Sequence, residues 1–141
     1  MAPKEKFIKS LIGIYNLDII NYFMNFLQGE QAVLFALYIG DEQNPSKISE
    51  KLGITKSRMS NIITKLLEKD MIETKSDVLD RRKIVINLKE SGRKFIKEKE
   101  SEILTIFEVF YLSMGETKIK QLSELLEETT LIMKEVRKWS R

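Results

Sequence analysis

The stretch Gly53 to Met71, GITKSRMSNIITKLLEKDM, decides the fold. It reads as a short turn followed by a helix of about four turns. Thr55 is placed as the N-cap, its hydroxyl accepting from a backbone N–H two or three residues on. Met59, Ile62, Ile63, Leu66 and Leu67 recur at helical spacing and form one apolar face. Ser57, Asn61, Thr64, Lys65 and Glu68 fall opposite, with Lys56, Arg58 and Ser60 at the N-terminal edge. Apart from Glu68, that outer face consists of small hydroxyls, one amide and cations. Such groups reach base edges and phosphates in a DNA major groove. A merely solvated helix more often balances Glu against Lys.

What precedes this helix fits it. Asn44-Pro45 reads as an N-cap followed by proline at the first helical position. The spacing predicts a short helix over Pro45 to Leu52, with Ile48 and Leu52 inward and Gly53 as the left-handed residue that ends it. Short helix, tight glycine turn and longer helix make a helix-turn-helix. After Asp70 the period becomes that of strands. Ile72 to Lys75 and Lys83 to Leu88 are the expected strands, the second with Ile84, Ile86 and Leu88 inward. Ser76 to Arg82 between them is a polar and basic tip. A lone hairpin is marginal, so it must lie on the helices. A helix-turn-helix followed by a hairpin is a winged helix.

Farther out, Lys4 to Leu27 is expected as a helix apolar over most of its circumference, which needs cover on two sides. Its own domain supplies one and a second subunit the other. Gln28-Gly29 breaks it, and Glu30 to Ile39 is the next helix, with Val33, Leu34, Leu37 and Tyr38 inward. Gly40 to Asn44 is a polar loop. From Glu90 to Ser113 the helical period returns, with a stripe of Ile96, Ile103, Phe107, Phe110 and Met114. Ser113 to Glu116 fits a capping box that opens a last helix to about Lys138. Its broad apolar band, including Leu122, Leu125, Ile132, Val136 and Trp139, is expected against the first helix and a symmetry mate.

The fold class is therefore mainly α with a small β-hairpin wing: a winged helix-turn-helix plus long N- and C-terminal dimerisation helices. The expected divisions are 1–29 (N-terminal dimerisation helix), 30–94 (winged helix-turn-helix, recognition helix about 55–69, wing about 72–88) and 95–141 (C-terminal dimerisation helices).

Composition narrows the chemistry. The 141 residues contain no cysteine and no histidine. Disulfides, thiol redox sensing, Cys/His zinc sites and histidine general-base catalysis are excluded. There is no phosphate-binding glycine loop, so no enzyme, cofactor or metal site is expected. No run approaches the length of a membrane span. The start, MAPKEKF, lacks the apolar core of a secretory signal, so the cytoplasm is the expected location. The net charge of +3 is unevenly placed. Residues 45–94 hold 13 Lys/Arg and 7 Asp/Glu, a net +6, and the rest hold 11 and 14, a net −3. The positive charge lies where the polar helix lies, as a DNA-binding segment requires.

The order of elements resembles the MarR family of bacterial and archaeal transcription regulators. The most specific match is at the wing, where the family pattern is approximately D-x-R, five residues, then L-T-x-x-G. Here Asp80, Arg82, Leu88 and Gly92 match, and Lys89 stands in place of the threonine that normally begins the next helix. That departure leaves the helix start less well capped. Ile48 to Ser57, ISEKLGITKS, also follows the family pattern. The resemblance implies a homodimer held by its first and last helices, each subunit placing a recognition helix in a major groove and a wing at the adjacent minor groove. It implies that Arg82 enters the minor groove with Arg81 beside it, and that Asp80 holds the tip arginines by ion pairing. The expected DNA-binding residues are Lys56, Ser57, Arg58, Ser60, Asn61, Thr64, Lys65, Arg81 and Arg82. Ser57, Asn61, Thr64 and Lys65 lie in the groove, and Lys56 and Arg58 on phosphates.

Family members often bind small amphipathic ligands, so a small-molecule effector is implied as well. The candidate lining is Tyr15, Tyr22, Phe23, Phe107, Phe110 and Tyr111, with no basic residue among them to pair with an anion. An aromatic stripe at helical spacing is more often core than ligand box, and core is the favoured reading. The function expected is a homodimeric, sequence-specific DNA-binding regulator, a repressor at a roughly palindromic operator relieved by a ligand. The alternative is a winged-helix module that contacts proteins and has no operator of its own.

Overall fold

The structure is a computed structural model that describes residues 1–40 and 42–139. Its elements run α1 (Pro3–Tyr15), α2 (Asp18–Leu27), α3 (Gly29–Ile39), α4 (Pro45–Leu52), α5 (Lys56–Glu68), β1 (Ile72–Ser76), β2 (Ile84–Leu88), α6 (Glu90–Met114) and α7 (Glu116–Trp139). The chain divides into two compact units, Met1–Glu100 and Ser101–Arg141, and α6 runs from one into the other. Among the described residues no helix is long and apolar enough to cross a membrane.

The first unit is built around α3, which touches α2, α4, α5 and β2. Ala32, Val33, Leu34 and Leu37 of α3 are buried, as are Phe26, Ile48, Met59, Ile62, Leu66, Ile72, Ile86 and Ile96. Phe26 and Phe35 pack with tilted rings 5.0 Å apart. Burying each such aliphatic or aromatic side chain contributes about 1.5–3 kcal/mol, so this core fixes where α5 and the hairpin sit.

Local chemistry sets the helix ends. Asn44 Oδ1 accepts from the backbone N–H groups of Ser46 (3.0 Å) and Lys47 (3.2 Å), with Pro45 following. Asn44 N in turn donates to Glu42 Oε1 at 2.9 Å, and this bond holds the Glu42 carboxyl below its ordinary pKa. Gly53 adopts φ 68°, a left-handed conformation that costs a residue with a Cβ. Ile54 N then donates to Ser49 O at 3.0 Å and closes the turn. Thr55 Oγ1 accepts from Arg58 N at 3.1 Å and opens α5. The expected caps at Asn44 and Thr55 are therefore both made.

β1 and β2 pair antiparallel, from Ile72 opposite Leu88 to Ser76 opposite Ile84. The loop before α4 reaches this hairpin: Ile86 N donates to Gln43 O at 2.9 Å, and Gln43 Nε2 to Asn87 Oδ1 at 2.8 Å. These bonds join β2 to the loop outside the two-stranded sheet. Asp41 of that loop lies outside the described residues.

Several expectations need correction. The first helix is two: α1 ends at Tyr15, Leu17 is extended (φ −77°, ψ 132°), and α2 restarts at Asp18. No glycine or proline marks the break. Asp18 in the first turn of α2 suits the positive end of its dipole. On α5, Met59, Ile62 and Leu66 are buried, Ile63 is half-buried and Leu67 is exposed, so the apolar stripe is narrower than expected. Ile84 is exposed too, because it pairs with Ser76 at the far end of the ladder. The capping box at Ser113 does not form. Ser113 lies inside α6 and its Oγ donates back to Val109 O at 2.7 Å. Gly115, at φ 84°, makes the turn between α6 and α7 instead. The wing tip is basic but not simply polar, since Val78 and Leu79 stand in solvent there.

Candidate nucleic-acid interface

The buried Met59, Ile62 and Leu66 hold α5 against the core and leave its opposite face in water. Lys56, Ser57, Arg58, Ser60, Asn61, Thr64 and Lys65 are all exposed. Thr64 Oγ1 donates to Ser60 O at 3.1 Å, which leaves its lone pairs facing outward as acceptors. Among the described residues, Lys56, Arg58, Lys65, Arg81 and Lys83 have no carboxylate within 4.0 Å. Lys69, by contrast, is paired with Glu30 at 3.1 Å. Unneutralised cations on one exposed helix and one hairpin tip give a field suited to phosphates.

Arg58, Asn61 and Lys65 also line a cleft of about 510 Å³, with Asn25, Gln28, Glu30 and Gln31 of the α2–α3 turn on its other wall. The residue pattern suits Arg58 to a phosphate but carries no sign of this cleft. It depends on where α3 begins relative to α5, a tertiary relationship that helical periodicity does not carry.

At the wing, Asp80 Oδ1 accepts from both Arg82 N (3.1 Å) and Arg82 Nε (3.3 Å). The Arg82 side chain is 92% exposed and that of Asp80 34%. The carboxylate thus holds one tip arginine, Arg82, without burying it, whereas the expected ion pairing of Asp80 does not extend to Arg81. Three further bonds fix the tip: Leu79 N to Asp77 Oδ1 (2.9 Å), Asp77 N to Lys83 O (2.9 Å) and Lys83 N to Asp80 O (3.0 Å).

The base of the wing is tied to the end of α5. Asp70 is left-handed at φ 58°. Its carboxylate accepts from Lys89 Nζ and its carbonyl from Ser91 Oγ (2.7 Å), while Lys89 N donates to Met71 O (2.9 Å). The Asp70 hydrogen bond, aided by its charge, raises the Lys89 pKa. Lysine cannot cap a helix as threonine does, but here it anchors the start of α6 to α5 through this contact. Gly92 completes the junction: a Cβ there would run into the Met71 carbonyl and meet Leu88 Cδ1 at 2.9 Å. The glycine of the wing motif is thus required by close approach, not by its torsion angles.

Of the six candidate ligand-lining aromatics, Tyr22 and Phe23 are half-buried and Tyr15 is exposed in the first unit. Phe107, Phe110 and Tyr111 are exposed in the second. Outside these six, Lys99 Nζ lies 5.3 Å from the Tyr22 ring centroid. Its signal was out of reach of the sequence because α2 and α6 are far apart in the chain.

Residues 30–83 match the sequence model of the MarR family. No curated protein matches the chain. Among solved structures, FabT of Streptococcus pneumoniae in complex with DNA superposes with a TM-score of 0.78 at 18% identity, over 94% of this chain and 99% of that one. NMB1585, a MarR family regulator from Neisseria meningitidis, gives 0.67 at 18% identity over the whole of both chains. The complex of Staphylococcus aureus MepR with DNA gives 0.63 at 23% identity, over 72% of this chain and 75% of that one. At these identities the structures establish a shared fold.

Proposed function

We infer that this chain, whose winged helix is of the MarR family, is a homodimeric, sequence-specific regulator of transcription that binds duplex DNA. The observation that carries the reading is Arg82, almost fully exposed yet held at two nitrogens by Asp80. Holding a guanidinium in place before binding lowers the ordering cost at the groove. A narrow minor groove concentrates negative potential and favours an inserted arginine. The exposed polar face of α5 is the complementary element for the major groove, with Asn61 suited to an adenine edge and Lys65 to guanine or phosphate. Solved DNA complexes of FabT and MepR, which share the fold, support the same use of it here.

The dimer is supported by apolar surface. Phe7, Leu11 and Ile14 of α1 and Leu125, Ile132, Val136 and Trp139 of α7 are exposed. Apolar patches of this kind mark an interface, and a second copy related by a two-fold axis covers both. Residues 1–29 and 95–141 are the dimerisation segments of this reading and 30–94 the DNA-binding one. A two-fold pair of recognition helices reads a roughly palindromic operator with half-sites about 10 bp apart. Occupying such a site represses by blocking polymerase.

Selection of bound duplexes from genomic fragments tests the reading. An enriched palindrome with that spacing, bound by a chain that sediments as a dimer, is expected. A dimer that retains genomic and random duplexes equally supports instead a protein-contacting module.

A further inference from the structure

Val78 and Leu79 are 96% and 95% exposed, the two highest values among the large apolar side chains described. The exposure does not come from a loose loop. Asp77 Oδ1 accepts from Leu79 N, Asp77 N donates to Lys83 O and Lys83 N to Asp80 O. The backbone on both sides of the pair is thereby fixed, and two adjacent aliphatic side chains are held out in water. Both nearby carboxylates are engaged locally, Asp77 with Leu79 N and Asp80 with Arg82. What the tip presents outward is therefore two aliphatic groups beside two cations, Arg81 and Arg82.

A surface of that composition fits one occupant well. The minor groove of a duplex has phosphate rails that attract arginine and deoxyribose walls that offer apolar contact. Proteins that enter it frequently insert aliphatic side chains there. The wing joins α5 through β1, which packs on that helix, so the tip belongs to the same unit as the cationic helix face. The geometry points to Val78 and Leu79 as minor-groove contacts that bury their side chains against the sugars beside the Arg82 insertion. They supply an apolar, sequence-tolerant part of binding that does not depend on counterion release. This rests on the DNA-binding reading above.

The test compares parent, the double variant V78S/L79S and Arg82→Ala on the duplex selected with the parent, from low to high salt. Hydroxyl-radical cleavage then reports the exposure of minor-groove sugars. The double variant is expected to bind roughly tenfold to a hundredfold more weakly at every salt concentration, the scale of losing two partial aliphatic burials. Its slope against log salt should equal the parent's, and protection of sugars at the wing site should be lost. Arg82→Ala should instead make the slope shallower by about 1. Thermal unfolding of V78S/L79S should match the parent's, because neither side chain is packed. Unchanged affinity and sugar protection in the double variant overturns the inference while leaving DNA binding intact. A changed salt slope also overturns it, since the pair would then act through the arginines. If the parent selects no duplex at all, the underlying DNA-binding reading is what fails.

Discussion

Lys89 donates its ammonium to the carboxylate of Asp70, joining the residue just before α6 to the turn just after α5. The wing hairpin lies between these two residues in the chain. Its base is therefore pinned at both ends by one ion pair, together with the backbone bond from Lys89 N to Met71 O. The hairpin is thus held to the end of α5 and the start of α6 by this junction.

The pair gives a pH signature. Its hydrogen bond raises Lys89 above the ordinary lysine value of 10.5. A raised folded pKa means that the stabilisation is fully present below the unfolded value and is lost as pH rises through the folded one. Asp70→Asn removes the charge while tolerating the left-handed backbone, as asparagine does. The thermal midpoint of this variant should lie slightly below the parent's at neutral pH. The gap should close as pH climbs beyond the ordinary lysine value. A gap that persists unchanged in strong alkali would remove the ion pair as its cause.

Gly92→Ala should destabilise the protein by about 1–3 kcal/mol, the usual cost of forcing a methyl into filled space. The clash is with the Met71 carbonyl, which belongs to the backbone and cannot swing aside as a side chain would. Denaturant unfolding measures it directly. Wild-type stability in this variant would mean that the junction relaxes freely.

On α5, the groove and phosphate roles proposed for its residues are separable in binding assays. Asn61→Ala should relax base preference at one position, by about 1–3 kcal/mol of discrimination if the contact is bidentate. Lys56→Ala should weaken binding similarly on all sequences and make the salt dependence shallower by about one phosphate contact. Selection and salt titration distinguish the two. Base preferences left intact by Asn61→Ala would move the readout to Ser57, Thr64 or Lys65.

Much of this was legible in the chain because it rests on local signals. Asn44-Pro45, Gly53 and Thr55 act within a few residues of themselves, and the caps and turn they make are those that their chemistry dictates. The burial of Ile86 and Ile96 follows from period alone. What escaped depends on distant neighbours. The break at Asn16-Leu17 involves no breaker residue. Ser113 had a free choice between capping α7 and bonding back to Val109, and the sequence pattern fits both. Ile84 alternates correctly but lies beyond the reach of the core. The Arg58 cleft and the Lys99–Tyr22 contact join residues from elements far apart in sequence.

Affinity of Arg82→Ala for the selected duplex bears most directly on the claim that an exposed helix face and a pre-positioned wing arginine together engage DNA. The account predicts a loss of at least tenfold at moderate salt, with a thermal midpoint indistinguishable from the parent's because the side chain is exposed. Parental affinity in a folded Arg82→Ala dimer would contradict it.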